Sequence, residues 1–276
     1  MGTPDRSRHG AALYYGPVYQ GVWSRLRSKG GMLSDATLSM FVPAYNAAAT
    51  LYGVIKRVPG TVWPRLVSCW IINDGSTDLT GSVIYNLTQA NRKIRAVHFE
   101  QNRGYGAVAQ KALSLCRNDG CDMAACLHAD GQYPPEVIPQ FMDTMRDRGY
   151  DILQGSRIAS GTALSGGMPR YKYVAGKILT FFENRVFGLS MSDYHSGFMF
   201  YSRRALDTIR FETLSRSFDF DLEMIASARA LGLSIGEMPI PTHYGTERSY
   251  LNPVSYGLRV LRAMGRYALG RYGRSR

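Results

Sequence analysis

Long apolar runs are missing from this chain. Nowhere among its 276 residues do 18 or more apolar residues follow one another, so no bilayer-spanning helix is expected. The first residues carry charge without a continuous apolar stretch behind it, so a secretory signal is not expected either, and the reading is a cytoplasmic protein. Cysteine is scarce. Cys69, Cys116, Cys121 and Cys126 form no CxxC pair, and two of them fall in strand-like apolar runs, which reads as buried reduced thiols in a reducing compartment. Acids are in deficit, 21 against 33 Lys and Arg, leaving a formal net charge of +12 and a pI near 9.7. That balance favours anionic partners: nucleic acid, nucleotide phosphates or an acidic membrane surface. Two common nucleotide signatures are also absent. There is no GxxxxGK[ST] loop, and Gly104-Tyr105-Gly106 lacks the third spaced glycine of a dinucleotide fingerprint.

What is present is ordinary globular material, 45% hydrophobic and 20% charged. Residues 1–36 read as a partly ordered leader with scattered aromatics (Tyr14, Tyr15, Tyr19, Trp23). From Thr37 the pattern becomes regular. Strands are expected at Leu38–Val42, Leu66–Ile72, Ile94–Phe99 and Met123–Leu127. They alternate with helices at Ala47–Val58, Thr80–Ala90, Ala107–Cys116 and Pro135–Arg146. Alternation of this length means βαβ units and a mostly parallel sheet. Asp151–Gln154 is a further short strand, after which a small-residue segment, Arg157–Pro169, breaks the rhythm. Helices at Tyr171–Phe187 and Phe218–Leu231 and strands at Gly197–Tyr201 and Ser234–Ile240 follow. The acids of the second helix (Asp219, Asp221, Glu223) fall in its first turn, where they suit the helix dipole. No internal repeat or low-complexity tract occurs. The second half reads as built onto the first half's sheet.

Three strands end alike. The first stops at Pro43-Ala44-Tyr45-Asn46, the second at Asn73-Asp74-Gly75-Ser76-Thr77-Asp78, the fourth at His128-Ala129-Asp130-Gly131-Gln132. In a parallel sheet these ends share the carboxyl edge, where open α/β folds bind ligands. An aromatic face (Tyr45), an acceptor for a base N–H (Asp74) and a metal-binding carboxylate (Asp130) together describe a nucleotide-diphosphate site. Taken singly, each aspartate is equally at home as a turn former or helix cap. The loop Asn102–Gly106 opens another helix and is a candidate phosphate cradle through its backbone N–H groups.

These strand ends resemble the family 2 glycosyltransferases of GT-A fold, over about residues 37–255. The likeness extends through Gly155-Ser156-Arg157, Gly167-Met168-Pro169, Ser192-Asp193-Tyr194-His195-Ser196-Gly197-Phe198, Phe218-Asp219-Phe220-Asp221-Leu222-Glu223, Pro239-Ile240-Pro241-Thr242 and Ser249, in that order. The series is similar to the polyprenyl-phosphate branch, which includes dolichol-phosphate mannosyltransferase and undecaprenyl-phosphate glucosyltransferases. The resemblance implies a Rossmann-like, mostly parallel sheet flanked by helices over residues 37–251, with a basic amphipathic helix at 252–276. It implies that Pro43, Tyr45 and Asp74 hold the nucleotide of a UDP- or GDP-sugar donor, and that Asp130 and Gln132 hold Mg²⁺ or Mn²⁺ against the diphosphate. Arg157 would face the phosphates, Arg170 or Lys172 the acceptor phosphate, and Arg248 would clamp the diphosphate. Asp193 would be the base or the group that orients the acceptor. Two positions depart from the family pattern. His128 stands where an aspartate is usual, as a metal ligand or a polar spacer, and Ala47 replaces an acid. An imidazole ligates Mn²⁺ but is a poor ligand for Mg²⁺, which prefers oxygen.

The activity implied is inverting transfer of a sugar onto a polyprenyl phosphate. Such an acceptor is already a nucleophile at neutral pH, because a phosphate monoester's second pKa is about 6. Val254–Arg276 carries six arginines and no acid, with Leu258, Leu261, Met264, Ala268 and Leu269 at helical spacing. Such a helix suits the interface of an anionic bilayer, on the cytoplasmic face, with a separate membrane protein as a further candidate partner. A plain solvated helix packed on the domain is the alternative. His195 and His243 read as structural hydrogen-bond formers. Competing functions are transfer to a glycan or soluble acceptor and non-catalytic nucleotide-sugar binding. A nucleic-acid partner rests on charge alone and is not expected.

Overall fold

The apolar runs pair into a single sheet of seven strands in the order β3-β2-β1-β4-β6-β5-β7. The computed structural model describes residues 36–241 and 253–273. The leader, up to Asp35, and Arg248 lie outside the described residues, as do His243 and Ser249. At the centre lie β1 (Leu38–Ala44) and β4 (Met123–Cys126), buried along almost their whole length. Strands covered on both faces read as continuous apolar runs, and this is why these two were visible without alternation. Beyond β1 come β2 (Leu66–Asn73) and β3 (Ile94–His98), all parallel. On the other side β6 (Met199–Ser202) runs antiparallel between β4 and β5 (Ile152–Ser156), and β7 (Ile235–Pro239) pairs parallel with β5. Six strands therefore end on one edge, and β6 begins there.

The helices are α1 (Leu51–Lys56), α2 (Thr80–Ala90), α3 (Tyr105–Asn118), α4 (Ile138–Arg148), α5 (Arg170–Phe187), α6 (Arg203–Thr208), α7 (Phe220–Ala230) and α8 (Pro253–Ala268). Helix α1 is shorter than the expected Ala47–Val58. The N–H groups of Ala47 and Ala48 bond Thr80 Oγ1 at 2.8 Å and Asp78 Oδ2 at 3.2 Å, which ties this segment to the start of α2 and the loop before it. Helix α6 has only six residues, too few for a periodic signal, and was not anticipated. All four cysteines are free and buried. Burial pushes the Cys69 thiol up to about 12, so it is inert.

Helix α5 is built the opposite way from a typical surface helix. Its buried positions are Thr180, Glu183 and Phe187, while Tyr171, Val174, Ile178, Phe181, Phe182 and Val186 are exposed. An ordinary helix turns its apolar stripe to the core. Beside α5 lies α8, whose Val260, Ala263 and Met264 are buried against the core. Its Tyr267 meets Phe187 of α5 edge-on at 5.0 Å.

Candidate active site

On the first half of the carboxyl edge the polar groups are fixed by the backbone. The Asp74 N–H donates to the Ala44 carbonyl at 2.9 Å, extending the β1–β2 pairing by one residue. Asp74 is buried, and its carboxylate accepts the N–H groups of Arg103 at 2.7 Å and Gly104 at 3.1 Å. For the phosphate cradle expected at Asn102–Gly106 this leaves fewer N–H groups. Two of that loop's N–H groups are taken by Asp74, and the Ala107 N–H faces the Arg216 carbonyl at 3.4 Å. Glycine at 106 has a packing cause instead, since a Cβ there would lie 2.8 Å from the Arg216 Cα. Tyr45 is exposed at the rim and Pro43 half-buried beneath it. Asn46, in the left-handed region at φ 48°, accepts the Thr77 N–H at 2.9 Å. The loops after β1 and β2 are thus laced together.

After β4 the chain turns at Asp130, whose Oδ1 accepts the Gln132 N–H at 3.0 Å; both residues are half-buried. His128 has a different duty. Its Nε2 lies 3.1 Å from the Gly197 carbonyl, so it carries the proton and donates it. The ring lies between Tyr105 (centroids 5.5 Å apart) and Tyr133 (4.9 Å). Burial holds its pKa below the ordinary value against the pull of Asp130, so it is a neutral imidazole. His128 ties the end of β4 to the start of β6, which leaves Nδ1 as its one lone pair. Among the described residues no three His, Cys, Asp or Glu side chains gather as a metal cage. That donor chemistry, one carboxylate and one amide on a turn, fits a hard cation shared with substrate phosphates rather than a protein-enclosed one.

The second half of the edge is held by side chains. Glu237 of β7 accepts the Ser192 N–H at 2.9 Å and the Asp193 N–H at 3.0 Å. Asp193 is buried, bonds the His195 N–H at 2.8 Å, and lies 3.7 Å from Arg157 Nε. Arg157 also donates to the His195 carbonyl at 2.9 Å. The structure therefore brings Arg157, Asp193 and His195 together, with His128 bonded to the same segment at Gly197. Arg170 is exposed and Lys172 half-buried in the first turn of α5.

The acids of α7 do more than face a dipole. Asp221 accepts the Tyr105 hydroxyl at 2.7 Å and the Tyr201 hydroxyl at 3.3 Å. Burial raises it to about 7, against the lowering effect of those two bonds. Glu223 accepts the Tyr272 hydroxyl at 2.6 Å and pairs with Arg266, and Asp219 lies 3.8 Å from Arg259. Arg266 is thus half-buried against Glu223, a correction to reading the whole series as surface charge, while Arg259 stays exposed. The apolar side expected of that helix is divided as well. Met264 is buried with Val260 and Ala263, whereas Leu258, Leu261, Ala268 and Leu269 are exposed.

Sequence reasoning missed Glu183, which is wholly buried at 3.4 Å from His195 Nε2. The available signal was faint: it is the one acid in a helix with Arg170, Lys172, Lys177 and Arg185.

The model of "Glycosyl transferase family 2" matches residues 39–210. The chain belongs to glycosyl transferase family 2. As a glycosyltransferase it is 26% identical over 224 residues to a UDP-N-acetylglucosamine–dolichyl-phosphate N-acetylglucosaminyltransferase of Methanococcus voltae, covering 77% of this chain and 88% of the relative. It is 28% identical over 176 residues to the undecaprenyl-phosphate 4-deoxy-4-formamido-L-arabinose transferase of Salmonella choleraesuis, covering 62% of this chain and half the length of that relative. Among solved structures, the glucosyl-3-phosphoglycerate synthase of Mycobacterium tuberculosis in complex with Mn²⁺, UDP and glucosyl-3-phosphoglycerate superposes with a TM-score of 0.61 at 17% identity, covering 87% of this chain and 81% of that one. The fold of this family 2 enzyme is the GT-A arrangement, a mostly parallel sheet flanked by helices. No helix among the described residues is long and apolar enough to cross a membrane.

Proposed function

We propose that this glycosyltransferase moves a sugar, with inversion, from a nucleotide-diphosphate donor to a polyprenyl phosphate presented at an anionic bilayer surface. The observation that carries this reading is the inverted helix α5. Its exposed apolar stripe forms a trough of about 410 Å³ lined by Val174, Ile178, Phe181 and Phe182, and the loop bearing Asp193 meets the same helix at Glu183 and Asn184. The same helix carries Arg170, Lys177 and Arg185, and α8 carries Arg262 with Leu258 and Leu261, all exposed. Apolar side chains among cations suit an interface with anionic headgroups, each cation contributing about 1 kcal/mol near the surface. The dolichyl-phosphate and undecaprenyl-phosphate relatives support the same acceptor class.

In this reading Pro43 and Tyr45 line the nucleotide, and Asp74 has its remaining lone pairs for a base N–H. Asp130 and Gln132 hold Mg²⁺ or Mn²⁺, which when bound neutralises charge on the departing diphosphate. His128 serves the site chiefly by positioning Gly197. Arg157 faces the phosphates, Lys172 or Arg170 the acceptor phosphate, and Arg248 is assigned to the diphosphate on its motif position alone. The acceptor phosphate needs no strong base, so Asp193, already bonded to the His195 N–H, orients the acceptor. The site works on the cytoplasmic face, where nucleotide sugars are supplied.

The test is transfer from labelled UDP- and GDP-sugars into polyprenyl phosphate held in phosphatidylglycerol vesicles, with Mg²⁺ or Mn²⁺. Label in the organic phase that falls about 10³-fold in Asp130→Ala is the expected outcome, the size typical of losing charge stabilisation at the leaving group. No lipid label, with a nucleotide sugar still bound, sends the enzyme to a glycan or soluble acceptor.

A further inference from the structure

Glu183 is an acid that the fold has reason to avoid. It is wholly buried on the inner side of α5, and neither carboxylate oxygen has a hydrogen-bond partner among the described residues. Burying a polar group without partners is costly, and an apolar side chain would pack there at less expense. Across from it stands His195, Oε2 to Nε2 at 3.4 Å, and that nitrogen also lacks a hydrogen-bond partner among the described residues. One proton placed between the two atoms satisfies both. Burial favours that state from either side, since it raises the carboxyl and lowers the imidazole.

The other ring nitrogen, Nδ1, lies 2.9 Å from the Tyr256 hydroxyl of α8. The ring of Tyr256 stands edge-on to the imidazole at 5.5 Å. His195 is therefore gripped from α5 on one side and from α8 on the other. Its own backbone is what Asp193 and Arg157 hold: the N–H bonds the Asp193 carboxylate and the carbonyl accepts from Arg157. Next to Glu183, Asn184 fastens the same segment. Its Oδ1 accepts the Tyr194 hydroxyl at 2.8 Å and the Met191 N–H at 2.9 Å.

We propose that Glu183 and Tyr256 are positioning residues for the acceptor side of the site, acting through His195 to set Asp193 and Arg157. The proposal rests on the polyprenyl-phosphate reading for its kinetic consequence, though not for its structural one. Because both residues lie on helices with exposed apolar faces, the chain of contacts ties the acceptor loop to the two elements assigned to the bilayer. An acid is retained at 183 for what it holds, at some cost in stability.

Glu183→Leu and Glu183→Gln in the full chain test this. Thermal unfolding, UDP and GDP binding with Mn²⁺, amide hydrogen exchange across residues 192–197, and steady-state kinetics with polyprenyl phosphate in vesicles are measured for each. Glu183→Leu is expected to be as stable as the native protein and to bind nucleotide equally. Exchange at the Asp193 and His195 amides should rise about tenfold, and the KM for polyprenyl phosphate about tenfold with a smaller change in kcat, the size of one lost hydrogen bond. Glu183→Gln should recover both, because its amide still donates to Nε2. Unchanged loop exchange in Glu183→Leu, or equal impairment in both variants, overturns the proposal. If Glu183→Leu does not fold, Tyr256→Phe removes a single hydroxyl, and faster exchange at His195 is again the required result. Should the native enzyme label no lipid while loop exchange still responds, the acceptor reading fails and the positioning role stands.

Discussion

At the ends of β1, β2 and β4 the polar groups facing the ligand edge are set by backbone hydrogen bonds, from Arg103 and Gly104 to Asp74 and from Gln132 to Asp130. On the far side of β4 the equivalent task falls to side chains: half-buried Glu237 under Ser192 and Asp193, half-buried Asn184 under Tyr194, buried Glu183 against His195. The first arrangement follows from strand register, and register survives most side-chain changes. The second depends on α5, α8 and β7 staying where they are. A donor that is always a nucleotide diphosphate suits the first, and an acceptor delivered from a surface suits the second.

Asp193→Asn breaks the comparison hardest. An amide of the same shape still accepts the His195 N–H but removes the charge beside Arg157. Transfer is expected to fall about 10²-fold, the size of a lost orientation, while UDP or GDP affinity stays within twofold, read by label extraction and calorimetry. If nucleotide affinity falls equally, the two halves are not separable and Asp193 belongs to the donor side.

The next largest effect is expected at the outer face of α5. Replacing Ile178 and Phe181 with Ser removes two exposed apolar side chains, and burying such groups at an interface is worth about 1.5–3 kcal/mol each when complete. Binding to phosphatidylglycerol vesicles should weaken tenfold or more in a flotation assay, with nucleotide binding and thermal stability unchanged. Stability that drops instead would assign the stripe to contacts within the protein.

The two halves also differed in how far they could be read from the chain. The donor half was legible because buried parallel strands are continuous apolar runs that stop abruptly at Asp74 and Asp130. The acceptor half was legible only as a string of motifs. Nothing in the spacing of Met199–Ser202 says that this strand inserts antiparallel between β4 and β5, because periodicity reports a strand and not its partner. The inversion of α5 was hidden for a related reason: Val174, Ile178 and Phe181 mark one face, but a pattern cannot say which face looks inward. Glu183 and the half-buried Arg266 were lost with it. Charged residues on a helix are normally solvated, and their partners lie far away in the chain.

The smallest effect is thermodynamic and isolates Glu183. Burial, with Asp193 adding to it, pushes this carboxyl up to about 8 from its ordinary 4.5. Between those values the unfolded chain has released a proton that the folded protein keeps, so stability falls as pH rises and levels off above about 8. Asp221, raised to about 7 by burial, contributes in the same direction but is exhausted by that pH. His128 and His195, lowered from the ordinary 6.5 by burial, work oppositely: stability rises with pH through their folded values and their contribution is complete near 6.5. Between pH 7 and 8 the slope due to these four groups is therefore that of Glu183. The native Tm should drop relative to Glu183→Gln across that window, by about 2–4 °C for each kcal/mol, and run parallel to it above. A flat difference would mean that Glu183 is already ionised in the folded protein, with His195 Nε2 carrying the proton. The contact between α5 and the acceptor loop would then be an ion pair rather than a neutral hydrogen bond.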